Sequence, residues 1–308
     1  MDANHATVSA LIPTHNAGAV FDRVLTALHR QTVQPMELIV VDSASIDDTV
    51  AIARRRGAKV ISIGENDYDH AATRSRMARE ARGEIVLFLT HDALLVDDQA
   101  LELLVAALLR QDDIGCAYGR QLADDTATAS ARFLRDFNYP PDSHIRSFAD
   151  RERLGFITCF CSNSFAAWRK SALEKIDFFG EAAIFGEDAR AAARLLQAGF
   201  RVAYAAEARV AHSHNYTMLE EFRRSFDIGV FHARETWLLD TFGQAAGRGG
   251  GLIVTELARL LRAGKLGRFV AAMARNAAKA SGYILGRRHR LLPRRLRRSF
   301  SMNRRFWR

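Results

Sequence analysis

The sequence predicts an α/β protein built on a mostly parallel, doubly wound sheet, and three observations predict it. Short apolar runs alternate with segments of helical periodicity through the first third of the chain. The helical segments between successive strands suit crossover connections, which parallel strands require. Polar clusters follow several of the strands, at the carboxyl ends where open α/β sheets bind their ligands. Composition is in keeping with this: 308 residues, 48% hydrophobic and 26% charged, suffice for one large domain with a smaller appendage.

Taken in order, "VSALIP" reads as a strand, "GAVFDRVLTALHRQ" as a helix, and "ELIVVD" as the second strand. "DDTVAIARRRG" is a short helix closed by Gly57, "KVISIG" a strand, and "HAATRSRMAREARG" a helix. "EIVLFLT" is the fourth strand, apolar at every position from Ile85 to Leu89. From about Gly119 to Gly155 the alternation stops, and a polar, partly helical insert holding Pro140 and Pro141 is expected to shape an acceptor site. Strand and helix resume in "FITCFCSNSFAAWRKSALEKIDFF", and "EDARAAARLLQAG" is a helix with acidic residues at its start and glycine at its end. "FRVAYAAEARVAHSHNY" reads as two short strands and "TMLEEFRRSFDIGVFHARETWLLDTFG" as helical. A Gly-rich break, "GQAAGRGGG", then separates residues 1–243 from a helical, basic C-terminal region, 251–308. Within the larger part, residues up to about 118 form one half of the domain and residues 119–243 the other.

Three cysteines make neither a disulfide framework nor a paired metal spacing, and a reducing compartment is expected. The N-terminus has no basic segment followed by a long apolar one, so no secretory signal is expected. No uncharged apolar run approaches the ~18 to 20 residues that span a bilayer. The formal net charge of +9 is concentrated in "GRRHRLLPRRLRRSFSMNRRFWR", which has no acidic residue. Such an end asks for an anionic partner.

The polar residues at strand ends are Pro13, Thr14, His15 and Asn16, then Asp42, Ser43 and Ser45, then Thr90, His91 and Asp92. They are expected to converge on one crevice. The ordered series "IPTHNAG", "VVDSASIDDT", "HAATRS", "FLTHDA", "FGED" and "AHSHNYT" resembles the family 2 glycosyltransferases of the GT-A fold. More narrowly, it is similar to their bacterial dTDP-L-rhamnose-dependent rhamnosyltransferase branch. The match spans roughly residues 8–243.

The resemblance implies an inverting enzyme that takes a sugar from a nucleotide diphosphate, usually with Mg²⁺ or Mn²⁺. Departure of a diphosphate needs its charge held, which a carboxylate-bound divalent metal does. Where the family usually has Asp-x-Asp, this chain has Thr90-His91-Asp92, so Asp92 alone keeps the metal position; the resemblance makes that threonine typical of the rhamnosyltransferase branch. His212 and His214, at i and i+2 on an extended segment, face the same way, and one of them is expected to join the metal or the diphosphate.

The family's "ED" pair maps onto Glu187-Asp188, which makes Asp188 the general base for the acceptor hydroxyl and Glu187 its support. The plain structural alternative is a pair of acids favoured by a helix N-terminus. Asp42 resembles the family's acceptor for a pyrimidine N3–H, with loop capping as its alternative. Arg74 matches a helix-borne arginine near the nucleotide, and His70, at the start of the same helix, is set near the phosphates. Pro13, Thr14 and His15 line the base pocket in this reading, with Thr90 and His91 adjusting the contact with the diphosphate.

The reading is therefore transfer of L-rhamnose from dTDP-L-rhamnose to a cell-surface glycan or polyprenyl-diphosphate-linked acceptor, in the cytoplasm at the inner face of the membrane. There the basic tail meets anionic lipid, with Leu291, Leu292, Leu296, Phe300, Phe306 and Trp307 available for insertion. Another hexosyltransferase of the same fold, using a UDP- or GDP-sugar, is the nearest rival. A nucleotidyltransferase would want a basic Gly-rich loop after its first strand, which "IPTHNAG" is not. Nothing in the body resembles a nucleic-acid module, so no nucleic-acid partner is expected.

Overall fold

The computed structural model describes residues 6–243 and 246–307. The chain divides into two compact units: Met1–Phe148 with Cys159–Ala182 and Glu187–Asn215, and Ala149–Thr158 with Ala183–Gly186 and Tyr216–Arg308. Residues 216–243, grouped with the sheet on sequence grounds, thus fall in the second unit.

The first unit is organised by β1 (Val8–Thr14), β2 (Glu37–Ser43), β3 (Lys59–Ile63), β4 (Ile85–Leu89), β5 (Leu94–Leu95), β6 (Ile114–Leu122), β7 (His144–Arg146), β8 (Phe165–Arg169) and β9 (Arg201–Ala211). Among the described residues they form one sheet in the order β3-β2-β1-β4-β8-β6-β9-β5, with β7 beside β9. Strands β1 to β4 are mutually parallel, and β8 runs against both β4 and β6. Strand β9 is parallel to β6, while β5 and β7 oppose it. The predicted parallel order holds for the first four strands, and β8 and the short strands β5 and β7 run against it.

The reason these runs become strands is visible in their burial. Every residue of β1 and of β4 is buried, as expected where helices cover both faces of a sheet. The intervening helices Gly18–His29 and Ala100–Leu109 bury Phe21, Val24, Leu25 and Leu28, and Leu101, Leu104, Val105 and Leu108, at helical spacing. The carboxyl ends of β1, β2, β4, β6 and β9 and the amino end of β8 all lie along one edge, because β8 is antiparallel to its neighbours.

Two local expectations are corrected. Residues 200–216 hold one eleven-residue strand, β9, rather than two short ones. A register shift between Gly119 and Arg120 opposite it absorbs the irregularity that the pattern suggested as a break. Of the Gly-rich stretch, residues 246–251 are helical, within the helix Ala246–Arg262, and residues 244–245 lie outside the described residues.

The second unit is helical. Helices Met218–Arg234 and Leu266–Arg287 approach closely enough that a side chain on Gly282 or Gly286 would collide with the carbonyl oxygens of Phe222 or Phe226, and one on Gly229 with that of Tyr283. The arginine-rich end folds back onto this pair. Asp227, on the first helix, accepts hydrogen bonds from Ser301 Oγ at 2.6 Å and from the Met302 and Asn303 amides at 2.9 and 3.1 Å. Phe300 stacks edge-on against Phe222 and Phe226, and Trp307, 9% exposed, lies among Phe226, His289 and Phe306. Expectation had these aromatics free for lipid, but they are spent inside the unit. No described helix is long and apolar enough to cross a membrane.

Candidate active site

Three side-chain groups gather at the carboxyl edge of the sheet. The first follows β1 and β2. Thr14 Oγ1 donates to Asp42 Oδ1 at 3.0 Å, and Asp42 also accepts from the Ser45 amide at 2.9 Å and Ser45 Oγ at 2.5 Å. His15 Nδ1 donates to the Ser43 carbonyl at 2.7 Å, and Pro13 is buried in register with Val41. The parallel β1–β2 register sets Thr14 against Asp42. Asp42 is 2% exposed, so in this structure its carboxylate orders its own loop, the capping alternative, while His15 keeps partial access.

The second group follows β4 and β9. Antiparallel pairing of Leu94 with Ala211 brings the turn holding Asp92 beside the segment holding His212 and His214. Asp92 Oδ1 is 3.3 Å from His212 Nε2, and Asp92 Oδ2 is 4.0 Å from His214 Nε2. Both histidines predicted as alternatives therefore face the same carboxylate, with their rings edge to face at 4.7 Å. Sequence reasoning missed Gln121: its Oε1 accepts from His212 Nδ1 at 3.0 Å, and its Nε2 donates to Ser162 Oγ at 2.9 Å.

That contact tests whether a metal fits. With the Nδ1 proton directed to Gln121, a neutral His212 presents a lone pair at Nε2, facing a carboxylate oxygen. Two acceptors at 3.3 Å need a positive charge between them, either a second proton on His212 or a metal ion. One ligand atom from each of Asp92, His212 and His214 lies within 4.8 Å of the others, so the three could hold such an ion. Burial alone would raise the pKa of Asp92. The hydrogen bond and charge of His212, with lesser help from His91 and His214, hold it well below the usual carboxylate range. Thr90 stands one step back: its amide donates to the Ser164 carbonyl at 3.1 Å, and its buried Oγ1 has no hydrogen-bond partner.

The third group opens the helix Glu187–Gln197. Glu187, 5% exposed, lies 3.3 Å from Arg74 Nη1 and accepts from Asn163 Nδ2 at 3.3 Å. Arg74 also reaches the His70 carbonyl at 3.2 Å and shares His70 Nδ1 with Tyr68. Arg74, expected beside the nucleotide, is 5% exposed and engaged with Glu187. Burial would raise the pKa of Glu187, but Arg74 first, then His70 and Asn163, hold it below its ordinary value.

Half-buried Asp188 has the opposite balance. It accepts from the Asn163 amide at 3.2 Å and from its neighbour Ala189 at 2.8 Å. Burial, followed by the adjacent charge of Glu187, pushes its pKa up from 3.8 to about 7. Two adjacent carboxyls are thus separated in acidity by one arginine. Asn163 itself is fixed by the Trp168 indole, which donates to its Oδ1 at 2.8 Å from full burial. The only signal for Asn163 in the sequence was its place in the turn before "FAAWR".

With this geometry in view, comparison with known proteins is decisive. The model of glycosyl transferase family 2 matches residues 9–177, more than half of the chain. The chain belongs to glycosyl transferase family 2. It is 41% identical over 302 residues to the O-antigen chain rhamnosyltransferase RfbN of Salmonella typhimurium, covering 97% of this chain and 96% of that one. It is 40% identical over 299 residues to the O-antigen chain rhamnosyltransferase WbaN of Salmonella anatum, covering 96% and 94%. Among solved structures, it resembles the mannosyltransferase PcManGT of Pyrobaculum calidifontis, in complex with GDP-Man and Mn²⁺, with a TM-score of 0.62 at 19% identity over 92% of this chain and 88% of that one. The fold of this glycosyltransferase is GT-A, as its motifs implied.

Proposed function

We propose that this glycosyltransferase is an inverting rhamnosyltransferase that moves L-rhamnose from dTDP-L-rhamnose to a hydroxyl of a lipid-linked glycan. The sugar assignment is supported by two relatives named as O-antigen rhamnosyltransferases, each matched over nearly the whole chain. The observation that carries the mechanism is geometric: Asp92, His212 and His214 offer ligand atoms within 4.8 Å of one another, and Asp188 stands beside Glu187, which together with burial raises its pKa.

In this reading Asp92, His212 and His214 hold a divalent ion, and two imidazoles in the set favour Mn²⁺ over Mg²⁺. Such an ion, when bound, neutralises charge on the departing diphosphate. Asp188 takes the proton of the acceptor hydroxyl as that oxygen attacks the anomeric carbon, a role ordinarily worth about 10² to 10⁴-fold. Its raised pKa makes it a stronger base than an ordinary carboxylate, and it is still ionised in half or more of the molecules above pH 7. Glu187, fixed by Arg74, raises that basicity without taking part in proton transfer. Thr14, His15 and the loop ordered by Asp42 form the floor for the pyrimidine. His70, Thr90 and His91 stand toward the phosphates, while Arg74 acts through Glu187.

The acceptor is read as a polyprenyl-diphosphate-linked glycan at the cytoplasmic face of the membrane, where the basic C-terminal region meets anionic lipid. Each exposed cation near such a surface contributes about 1 kcal/mol. A panel of nucleotide sugars, each with Mn²⁺ and with Mg²⁺, tests the donor. Thermal stabilisation by dTDP and hydrolysis of dTDP-L-rhamnose are expected. Preference for a UDP- or GDP-sugar would overturn the rhamnose assignment.

A further inference from the structure

The helix Leu266–Arg287 carries apolar residues on two opposite faces. Its inner face places Ala272, Gly282 and Gly286 in the buried packing of the second unit. Its outer face carries Leu266, Val270, Met273 and Ile284, which are 65%, 64%, 50% and 51% exposed, with exposed Ala277 between the last two. The steps of four, three, four and seven residues place all five on one stripe. A helix on a soluble surface ordinarily turns polar residues outward, so this stripe asks for a cover.

The surrounding charge identifies the cover. Residues 257–308 contain fourteen arginines, two lysines and no aspartate or glutamate. On the inner side Arg275 and Lys279 reach Glu221 at 3.4 and 3.6 Å. On the outer side Arg288 is exposed and lies one turn beyond Ile284 on the stripe itself. A second copy of this chain would bring like charges together across the stripe. An anionic lipid surface takes both the apolar side chains and the cations.

We propose that this outer face, with Leu266, Val270, Met273 and Ile284 at headgroup level, is the part of the chain that lies in an anionic membrane surface. The inference rests on the membrane reading above, and it moves the apolar contact from the inward-packed Phe300, Phe306 and Trp307 to this helix.

The test uses the full chain with vesicles of phosphatidylglycerol and phosphatidylcholine, and with phosphatidylcholine alone. Val270→Glu combined with Met273→Glu should lower partitioning onto anionic vesicles at least tenfold, with an unchanged melting temperature and unchanged donor hydrolysis. Val270→Trp, a milder change, should show a blue-shifted emission on anionic vesicles and be quenched by brominated acyl chains. If the parent chain binds anionic vesicles, the double variant binds equally well and the tryptophan is not quenched, the stripe is overturned while the membrane reading stands. No binding by the parent chain overturns both. A parent dimer that the double variant splits, with vesicle binding unaffected, overturns the proposal in favour of self-association.

Discussion

Gln121 Oε1 lies 3.0 Å from His212 Nδ1, and this contact sets which ring nitrogen His212 turns toward Asp92. Ser162 fixes the amide in that sense from its other side. Gln121→Leu keeps the size of the side chain and removes the acceptor. Mn²⁺ affinity in the presence of dTDP, followed by electron paramagnetic resonance, should fall about 10- to 100-fold. Unchanged affinity would mean that the tautomer of His212 does not matter to the ion.

Asn163 holds the acidic pair from the other side, through its amide to Asp188 and its side chain to Glu187. Asn163→Ala leaves the backbone donor but strands the buried Trp168 indole, costing about 1 to 3 kcal/mol in chemical denaturation. It also removes a donor that holds Glu187 ionised. A loss of stability with no change in the acid limb of the rate profile would make Asn163 purely structural.

The pH profile follows from the pKa of Asp188. As a base it must be unprotonated, so kcat/KM should rise tenfold per pH unit below about 7 and level above it. Stability runs the other way. The folded pKa is raised above the ordinary 3.8, so the fold binds this proton more tightly than the unfolded chain does. The resulting stabilisation is fully present below pH 3.8 and is lost as pH rises through about 7. Asp188→Asn should therefore raise the melting temperature at pH 8 and leave it nearly unchanged near pH 4. An equal effect at both values would place the origin outside proton binding.

Asp227 ties down the C-terminal end through Ser301, Met302 and Asn303. Asp227→Ala leaves the buried Ser301 hydroxyl and the two amides without this acceptor, and should cost about 1 to 3 kcal/mol. Trypsin should then cut the arginines after Pro293 sooner than in the parent chain. Equal protection of both would show that Phe300 and Trp307 hold the end unaided.

Apolar runs made the first half of the sheet legible, because β1, β2 and β4 are largely apolar and Thr14, Asp42 and Asp92 stand at or just beyond their ends. The reversal at β8 was not legible, since an antiparallel buried strand has the same composition as a parallel one. His212 and His214 were visible as a spaced pair, but Gln121 reaches His212 only through the pairing of β6 with β9, which no local pattern encodes. Arg74 was visible, but its partner was not. Its spacing marks one helix face, and only the fold brings Glu187 to that face. The packing of the tail's aromatics was hidden for a related reason: Phe226, more than seventy positions away, packs against Phe300 and against the buried Trp307.

The account stands most directly on the turnover of Asp188→Asn with saturating donor and Mn²⁺, measured alongside donor affinity. The amide is nearly isosteric, so the fold and donor binding should survive. The account predicts turnover at least about a hundredfold below that of the parent chain, and loss of the pH limb near 7. Near-parental turnover with the limb intact would contradict it and remove Asp188 from the chemistry.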